Sequence, residues 1–333
     1  MNMPRLRIVV VGAGMTGLTA ARALSGQGHD VVVIDKARGP GGRMSTRRDN
    51  DLRFDHGAQY FTARDPLFLR HVVAWQKRGL VSAWDARIAT IGDRDGSIPS
   101  QSTERFVAIP GMSSICSEMA NELPDCRFKW ALHKLTQLEN GWVLTSDKGQ
   151  TLECDVLMVT TPPEQARGLL ADPVIDELIG GVEMLPCWAL MLILDKPLFA
   201  EYDAAFANSG PLSWVSSQIS RPERPKTNAW VLHANPEWSS MHLERPADEV
   251  CDLLIDAARV LPLAQSFTVQ SAVAHRWRYA LARQPLNCGA IWLGSKNLVI
   301  AGDWCNGSRV EGAFLSGIAA AARIRNKIKE VRL

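Results

Sequence analysis

Three glycines and an aspartate near the amino terminus have the types and spacing of a dinucleotide-binding site. Gly12, Gly14 and Gly17 form a G-x-G-x-x-G motif, and Asp35 follows at close to the ~20-residue spacing expected for an acid that binds ribose. The first glycine permits a tight turn, the second lets the backbone approach a pyrophosphate, and the third lets a helix pack on a strand. An acid at position 35 favours FAD or NAD over NADP in this pocket.

A second group of residues has the chemistry needed to contact a substrate. Gln59 and Tyr60 follow a glycine turn, so we expect them at the face of a bound cofactor; the alternative for Tyr60 is a core position with its hydroxyl hydrogen-bonded. Trp277 is a candidate pocket wall, with the Arg278 guanidinium available for a phosphate or carboxamide and Tyr279 beside it. The alternative for this segment is an exposed strand end.

Histidine and cysteine positions favour neither a metal site nor a covalent cofactor link. His233 lies in an apolar run, where a histidine is either a hydrogen-bonded core residue or a catalytic group. Hydride transfer from a dihydropyridine needs no protein base, so a missing acid–base pair does not exclude redox chemistry. No His, Cys and carboxylate cluster has ligand spacing, so we expect no metal. We also expect His56 to be structural and Cys305 to remain unattached to a cofactor.

Composition excludes several classes of partner. The 333 residues are 46% hydrophobic and 22% charged, with 37 Lys and Arg against 35 Asp and Glu. This balance provides no general attraction for nucleic acid or a charged membrane surface. No apolar run reaches the ~18 residues of a membrane span. Seven cysteines without a C-x-x-C pair favour reduced thiols, which predicts a cytoplasmic protein.

The fingerprint requires a strand–helix–strand unit to position it. An apolar, β-branched run at 7–11 precedes the glycines, helical residues follow, and a second apolar run occupies 31–34. Near the other end, 297–301 reads as a buried parallel strand, and 309–322 as a helix with a face of small residues that allows very close packing. We therefore expect the two ends of the chain to complete one cofactor domain.

The intervening chain alternates predicted strands, hairpins and helices. Residues 52–61 are predicted to form a short strand that runs into an irregular, aromatic segment. Further strands are predicted at 127–135, 142–146, 151–154 and 155–161, and helices at 67–79, 112–123 and 164–170. A second unit is predicted from about 186 to 284, with strands at 188–194, 229–234 and 267–279. Its amphipathic helix, 245–261, has an apolar face of Val250, Leu253, Leu254 and Ala257. Loops are expected at 36–48 and 221–226, and a surface hairpin or loop at 90–103.

Together these motifs resemble FAD-dependent amine oxidases. The resemblance rests on the opening fingerprint, on the glycine–arginine loop at 41–43, on the Thr-Thr-Pro-Pro segment at 160–163 and on the segments at 302–303 and 310–313. Within that superfamily, 55–61, 231–234 and 275–279 look most like bacterial renalases. The resemblance spans residue 7 to about 322.

The resemblance implies an α/β fold with two domains. A Rossmann-like FAD-binding domain is expected to comprise residues 1–70, 104–165 and 288–333. A discontinuous α+β substrate domain of hydroxylase and amine-oxidase topology is expected to comprise 71–103 and 166–287.

The resemblance also implies non-covalently bound, extended FAD. Asp35 would bind ribose, Arg43 the pyrophosphate, Leu132 the adenine through its backbone, and Thr161 and Asp303 the pyrophosphate or ribityl groups. The dipole of the helix that follows Asp303 would stabilise negative charge on the reduced flavin pyrimidine. The full expected cofactor set is Gly12, Ala13, Gly14, Met15, Thr16, Gly17, Asp35, Lys36, Ala37, Gly42, Arg43, Ala58, Gln59, Tyr60, Leu132, Thr161, Asp303, Val310, Glu311 and Ala313. The expected substrate contacts are Gln59, Trp188, Arg278 and Tyr279, with Tyr60, Trp277 and His233 orienting the reacting ring.

Renalases oxidise dihydro-isomers of NAD(P)H, such as 1,2-dihydro-NAD(P), to NAD(P)⁺ and reduce O₂ to H₂O₂. The resemblance therefore implies an FAD-dependent oxidase whose partners are a small dinucleotide and O₂. The chain departs from classical amine oxidases because no lysine occurs in the segments expected near flavin N5, and because three tyrosines hardly supply a paired cage. The alternatives are a flavin amine oxidase, an NAD(P)H-dependent FAD monooxygenase, and a flavoprotein whose FAD is structural.

Overall fold

The computed structural model describes residues 5–92, 98–99 and 103–330. The strands of this part of the chain are β1 (Arg7–Val11), β2 (Asp30–Ile34), β3 (Thr46–Asp49), β4 (Leu52–Asp55), β5 (Val81–Ala83), β6 (Ile88–Ile91), β7 (Ile98–Pro99), β8 (Phe106–Ala108), β9 (Cys126–Arg127), β10 (Leu132–Leu138), β11 (Gly141–Ser146), β12 (Thr151–Cys154), β13 (Val156–Val159), β14 (Met184–Leu194), β15 (Ala204–Ala207), β16 (Leu212–Ser217), β17 (Ala229–Ala234), β18 (Val269–Ala282), β19 (Ala290–Leu293) and β20 (Leu298–Ala301).

The helices of the same residues are α1 (Met15–Ser25), α2 (Pro66–Lys77), α3 (Ser113–Asn121), α4 (Pro163–Leu170), α5 (Pro173–Ile179), α6 (Pro236–Met241), α7 (Ala247–Arg259) and α8 (Val310–Glu330). Short 3-10 turns occupy Gly42–Met44, Gly294–Lys296 and Asp303–Cys305. No helix among the described residues combines the length and apolar character needed to cross a membrane.

A six-stranded sheet carries the fingerprint. Its order is β19-β20-β13-β1-β2-β9, and its strands are parallel except for β19. Strands β1, β2, β13 and β20 are apolar runs because both faces of the sheet are covered. The predicted strands at 7–11, 31–34 and 297–301 are confirmed, and the last of them joins the sheet beside β13.

The small-residue face of α8 packs against α1. A Cβ atom on Gly317 would lie 2.5 Å from the Thr16 carbonyl oxygen, so only glycine permits this approach. The Thr16 hydroxyl donates a hydrogen bond of 2.9 Å to the Ala313 carbonyl. The predicted close packing is thus confirmed, and it joins the fingerprint helix to the C-terminal helix.

A seven-stranded sheet faces the other side of the molecule. Its order is β18-β14-β17-β16-β15-β6-β7, with antiparallel pairing except between β15 and β6. Helix α7 covers one face through Val250 and Leu254, both fully buried. Leu253, which was predicted on that apolar face, is 40% exposed because it lies at the solvent edge of the helix.

Two predicted elements differ from the structure. The strand predicted at 127–135 is divided, because Lys129 adopts a left-handed φ of 55°. Strand β9 therefore pairs with β2, whereas β10 begins a separate three-stranded antiparallel sheet, β10-β11-β12, whose predicted hairpins are confirmed. The predicted loop at 36–48 includes the strand β3, which pairs with β4. Part of the loop predicted at 90–103, namely 93–97 and 100–102, lies outside the described residues.

Candidate cofactor and substrate site

A cavity of about 1360 Å³ lies between the fingerprint and the seven-stranded sheet. Pockets for one small ligand usually measure ~300–1,000 Å³, so this cavity has room for a cofactor and a substrate together. Its wall includes Gly12, Gly14, Met15, Thr16, Asp35, Lys36, Ala37, Gly42, Arg43, Ala58, Gln59, Tyr60, Leu132, Thr161, His233, Trp277, Arg278, Tyr279, Asp303, Val310 and Ala313, all of them predicted site residues.

Three other predicted cofactor residues lie behind the wall. Ala13 is fully buried, and its N–H donates to Asp35 at 2.8 Å. A Cβ atom on Gly17 would lie 2.0 Å from the Gly12 carbonyl oxygen, so Gly17 shapes the turn. Glu311 accepts hydrogen bonds from two backbone N–H groups just before α2, at 2.6 and 2.7 Å. These residues support the site from outside the cavity.

Trp188 was predicted to contact the substrate, and the structure places it elsewhere. Its indole is 2% exposed and donates a hydrogen bond of 3.0 Å to the His242 carbonyl. The Arg276 guanidinium lies 5.8 Å from its ring centroid. Because adjacent residues of a strand point to opposite faces, Trp188 packs on the far side of the sheet from the cavity.

The fingerprint end of the cavity fits a dinucleotide. Helix α1 begins after Gly14 without a side-chain cap, so N–H groups of its first turn are available to phosphate oxygens. A Cβ atom on Gly14 would meet nothing within 4 Å, so the protein leaves the adjoining space open. The Asp35 carboxylate is held by the N–H groups of Ala13 and Ala37, both at 2.8 Å. These features match the extended, phosphate-bearing shape of FAD.

Arg43 and Asp303 pair across the middle of the cavity wall. The two Arg43 Nη atoms donate to the Asp303 carboxylate at 2.6 and 2.9 Å, and Nη1 also donates to the Ala280 carbonyl at 3.1 Å. The pair links the N-terminal glycine loop to the turn after β20. Beside it, the buried Thr161 hydroxyl has no hydrogen-bond partner among the described residues, which leaves it available to a ligand.

The opposite end of the cavity is a row of side chains across the seven-stranded sheet. His275 on β18, Ala189 on β14, His233 on β17, Trp214 on β16 and Phe206 on β15 occupy successive paired positions. Directly paired residues point to the same face, so the row forms one wall, and all but Ala189 line the cavity. This wall is predominantly aromatic.

His56 and Trp277 complete the wall at the end of the row. The His56 ring stacks on Trp277 with centroids 5.1 Å apart and meets His275 edge-on at 4.8 Å. The His56 carbonyl accepts hydrogen bonds from Trp277 Nε1 at 2.9 Å and from His233 Nε2 at 3.0 Å. Since a carbonyl only accepts, His233 carries its proton on Nε2. His56, expected to be structural, thus also lines the cavity.

The three histidines of this wall are uncharged at neutral pH. Burial lowers the pKa of His56 and of His233 to about 4. Burial also lowers the pKa of His275, with a smaller contribution from the charge of Arg47. The wall therefore presents neutral imidazoles and aromatic rings, which suit a flat heteroaromatic group.

Gln59 and Tyr60 lie between the two ends. The Gln59 Oε1 atom accepts hydrogen bonds from Ser216 at 2.7 Å and from Arg221 at 2.8 Å. The Gln59 NH₂ group donates to the Asp55 carbonyl oxygen and lies 3.4 Å from His233 Nε2. The Tyr60 ring packs 5.4 Å from that of Trp214. Both predicted residues line the cavity, and their roles in binding stay predictions.

Arg278 was predicted to bind a substrate phosphate or carboxamide, and in the structure its guanidinium is paired with an acid. Two of its nitrogens donate to the Glu244 carboxylate, at 2.6 and 3.0 Å, and Arg276 donates to the same carboxylate at 2.9 Å. Arg309 also lines the cavity, and its side chain makes no ion pair or hydrogen bond with the described residues. Arg309 is therefore the better placed cation for an anionic substrate group.

Sequence reasoning missed several cavity residues. Among them are Trp130, Phe206, Ser213, Trp214 and His275. One usable signal is the alternation of side chains along the strand predicted at 267–279. It places His275 and Trp277 on one face of the strand and Arg276 and Arg278 on the other. No comparable signal identified Trp214 or Phe206, whose neighbours in the row come from other strands.

Comparisons with known proteins agree with this geometry. A model of the NAD(P)-binding Rossmann-like domain matches residues 10–73, and a model of the flavin containing amine oxidoreductases matches residues 81–325. The hydroxyneurosporene desaturase of Rubrivivax gelatinosus is 47% identical over 58 residues, which are 17% of this chain and 11% of the desaturase. A 4,4'-diapophytoene desaturase of Staphylococcus aureus (strain Newman) is 42% identical over 52 residues, 16% of this chain and 10% of that protein. The chain thus matches about a tenth of the length of these relatives.

Solved structures share the whole fold. A triple mutant of putrescine oxidase superposes with a TM-score of 0.73 at 13% identity, covering 97% of this chain and 100% of that one. A putative protoporphyrinogen oxidase from Exiguobacterium sp. 255-15 superposes with a TM-score of 0.73 at 13% identity, covering 98% and 100%. The predicted combination of a Rossmann-like FAD-binding fold with an amine-oxidase-like fold is confirmed.

Proposed function

The chain belongs to the flavin-containing amine oxidoreductase family, and we propose that it is an oxidase that converts dihydro-isomers of NAD(P)H to NAD(P)⁺. It is a flavin-dependent oxidoreductase with FAD as its cofactor. Bound FAD supplies a hydride acceptor and returns two electrons to O₂. The balanced reaction is dihydro-NAD(P) + O₂ + H⁺ → NAD(P)⁺ + H₂O₂.

The observation that carries this proposal is the uncharged aromatic wall at the substrate end. A dihydropyridine that loses a hydride becomes a pyridinium cation, and aromatic faces stabilise such cations. The neutral imidazoles of His56, His233 and His275 add no repulsion against that charge. In this account Trp277 and His56 orient the ring by stacking, and no side chain needs to accept a proton.

The distribution of carboxylates favours this substrate over an amine. Among the described residues that line the cavity, the carboxylates are Asp35 at the cofactor end and Asp303 in the middle of the wall, where it is paired with Arg43. The substrate end thus has no acid to pair with an ammonium group. Arg309 at the cavity border fits the phosphates of a dinucleotide substrate instead.

Anaerobic mixing tests the proposal. We expect 1,2-dihydro-NAD(P) or a related isomer to bleach the flavin within one turnover, because the wall orients its ring for hydride transfer. Ordinary NADPH is the control and should reduce the flavin slowly. A flavin that stays yellow with every dihydro-isomer but is bleached by an amine would contradict the proposal.

A flavin amine oxidase is the second candidate. The family and the likeness to putrescine oxidase favour it, and an aromatic wall can hold a neutral amine. It predicts H₂O₂ release from a panel of amines. Rapid reduction by ordinary NADPH would instead indicate a monooxygenase.

A further inference from the structure

A buried cluster of charged side chains lies directly behind Gln59. Its members are Asp55, Arg221 and Arg224, whose side chains are 0%, 1% and 1% exposed. Residues 221–226 were predicted to form a polar loop, and the structure instead buries both of its arginines. Because Asp55 immediately precedes the cavity segment that begins at His56, the cluster forms part of the support of the cavity wall.

Specific contacts fix each member of the cluster. Asp55 accepts hydrogen bonds from the Thr46 hydroxyl at 2.7 Å and the Met112 N–H at 2.9 Å, and it forms an ion pair with Arg224. The Arg221 Nε atom lies 3.8 Å from the same carboxylate. Arg221 also donates to the Ser217 carbonyl at 2.5 Å. The protein's own contacts therefore hold the cluster in place.

The cluster has one positive charge more than its acid neutralises. Two guanidinium groups share one carboxylate, and Asp55 is the acid paired with either of them among the described residues. Burial lowers the pKa of Arg221 to about 10, which still leaves it protonated at neutral pH. Burying a charge without a full partner costs several kcal/mol, so a compensating negative charge nearby has a large effect.

Gln59 connects this charge to the cavity. Arg221 Nη2 donates to the Gln59 side-chain oxygen at 2.8 Å and lies 3.3 Å from its main-chain oxygen, while Gln59 itself lines the cavity. One residue therefore separates the Arg221 guanidinium from the cavity. Where water is excluded, the electrostatic attraction between a guanidinium and a negative charge one residue away is strong.

We propose that the buried positive charge of Arg221, Arg224 and Asp55 stabilises the negative charge that the flavin ring acquires on reduction. The two arginines act as positioning and electrostatic residues that do not contact the cofactor. This role holds for a dihydropyridine or an amine substrate, because either one delivers electrons to the same ring.

The midpoint potential of bound FAD tests this inference without turnover. Arg221→Met removes one charge and leaves Arg224 paired with Asp55. We expect the variant to lose at least tenfold in its preference for reduced over oxidised FAD, which is about 30 mV in the two-electron potential. Arg224→Met should shift the potential in the same direction. Sulfite is a second probe, because its adduct leaves a negative charge on the ring, and its Kd should rise at least tenfold in both variants.

Matched variants separate charge from packing. Arg221→Lys keeps the charge and should restore most of the potential and of the sulfite affinity. Arg48→Met removes the same charge from the exposed strand β3 and should change either value less than twofold, because solvent screens it. Unchanged potentials in FAD-loaded Arg221→Met and Arg224→Met would overturn the inference. If neither variant binds FAD, the wild-type protein provides the test. Reversible bleaching of its flavin by millimolar sulfite would support the inference, and the absence of a sulfite adduct would overturn it.

Discussion

The two ends of the cavity are built by different means. At the cofactor end, the turn after β1 presents backbone N–H groups and open space beside Gly14, and the residue after β2 adds the carboxylate of Asp35. At the substrate end, five strands each contribute a side chain to one row. Backbone groups recognise the phosphates common to many dinucleotides, whereas side chains select one ring. The difference explains why the cofactor end follows one local motif, whereas the substrate end depends on how five strands pair.

The largest expected effect comes from filling the open space at the cofactor end. Gly14→Val should weaken FAD binding by at least about 100-fold, because a Cβ atom there meets no protein atom within 4 Å and the new side chain would fill the space expected for the pyrophosphate. The protein should therefore stay folded. Titration with FAD and circular dichroism measure both outcomes.

Gly181→Val is the matched control for that prediction. A Cβ atom there also meets nothing within 4 Å, but Gly181 does not line the cavity. Equal FAD affinities of the two variants would show that the dinucleotide lies elsewhere.

Acid should destabilise the substrate end through its histidines. The folded-state pKa values of His56 and His233 are about 4, below the unfolded value of 6.5, so protonation favours the unfolded chain. The contribution of each neutral histidine to the free energy of unfolding is complete above pH 6.5. It is lost as the pH falls from 6.5 towards 4, and the loss is about 3 kcal/mol for each group. Urea unfolding across this range measures the loss, and His233→Gln should reduce the slope. A slope unchanged in that variant would contradict a neutral, buried His233.

Two ion pairs provide a further contrast. Asp303→Ala leaves Arg43 without its carboxylate at a site where the Asp303 side chain is 8% exposed. We expect the free energy of unfolding of the apoprotein to fall by about 1–3 kcal/mol. Glu244→Ala breaks pairs whose acid is 69% exposed and should cost less than about 1 kcal/mol. Chemical denaturation measures the free energy of unfolding of both variants. Equal losses would contradict the expected difference between the buried and the exposed ion pair.

The smallest predicted effect tests which arginine binds the substrate phosphate. Arg309→Gln should raise the KM for a dihydro-dinucleotide by about tenfold, because a charge-assisted hydrogen bond to phosphate is lost. Its kcat should change little. Arg278→Gln should change KM less than twofold, since Glu244 already occupies that guanidinium. The reverse order of effects would restore Arg278 as the substrate cation.

The sequence predicts the cofactor end well because its determinants are local. The strand, glycine turn and acid occur within the first 35 residues, and the C-terminal strand and helix carry their own apolar and small-residue patterns. The row of His275, His233 and Trp214 depends on the pairing register of distant strands, which no local pattern reveals. Arg221 looks like a loop residue because its burial depends on Asp55, far away along the chain.

Side-chain alternation along the strand predicted at 267–279 already separates odd from even positions, so Trp277 and Arg278 point to opposite faces of the sheet although both border the cavity. The structure places Trp277 against His56 and ties Arg278 to Glu244.

Product stoichiometry during aerobic turnover tests the central claim most directly. With 1,2-dihydro-NAD(P) as substrate, we expect each O₂ consumed to yield one NAD(P)⁺ and one H₂O₂, because one hydride leaves the pyridine ring in each turnover. Chromatography of the nucleotide and a peroxide assay on the same sample measure the ratio. Peroxide without NAD(P)⁺, or an amine oxidised faster than every dihydro-isomer, would contradict the account.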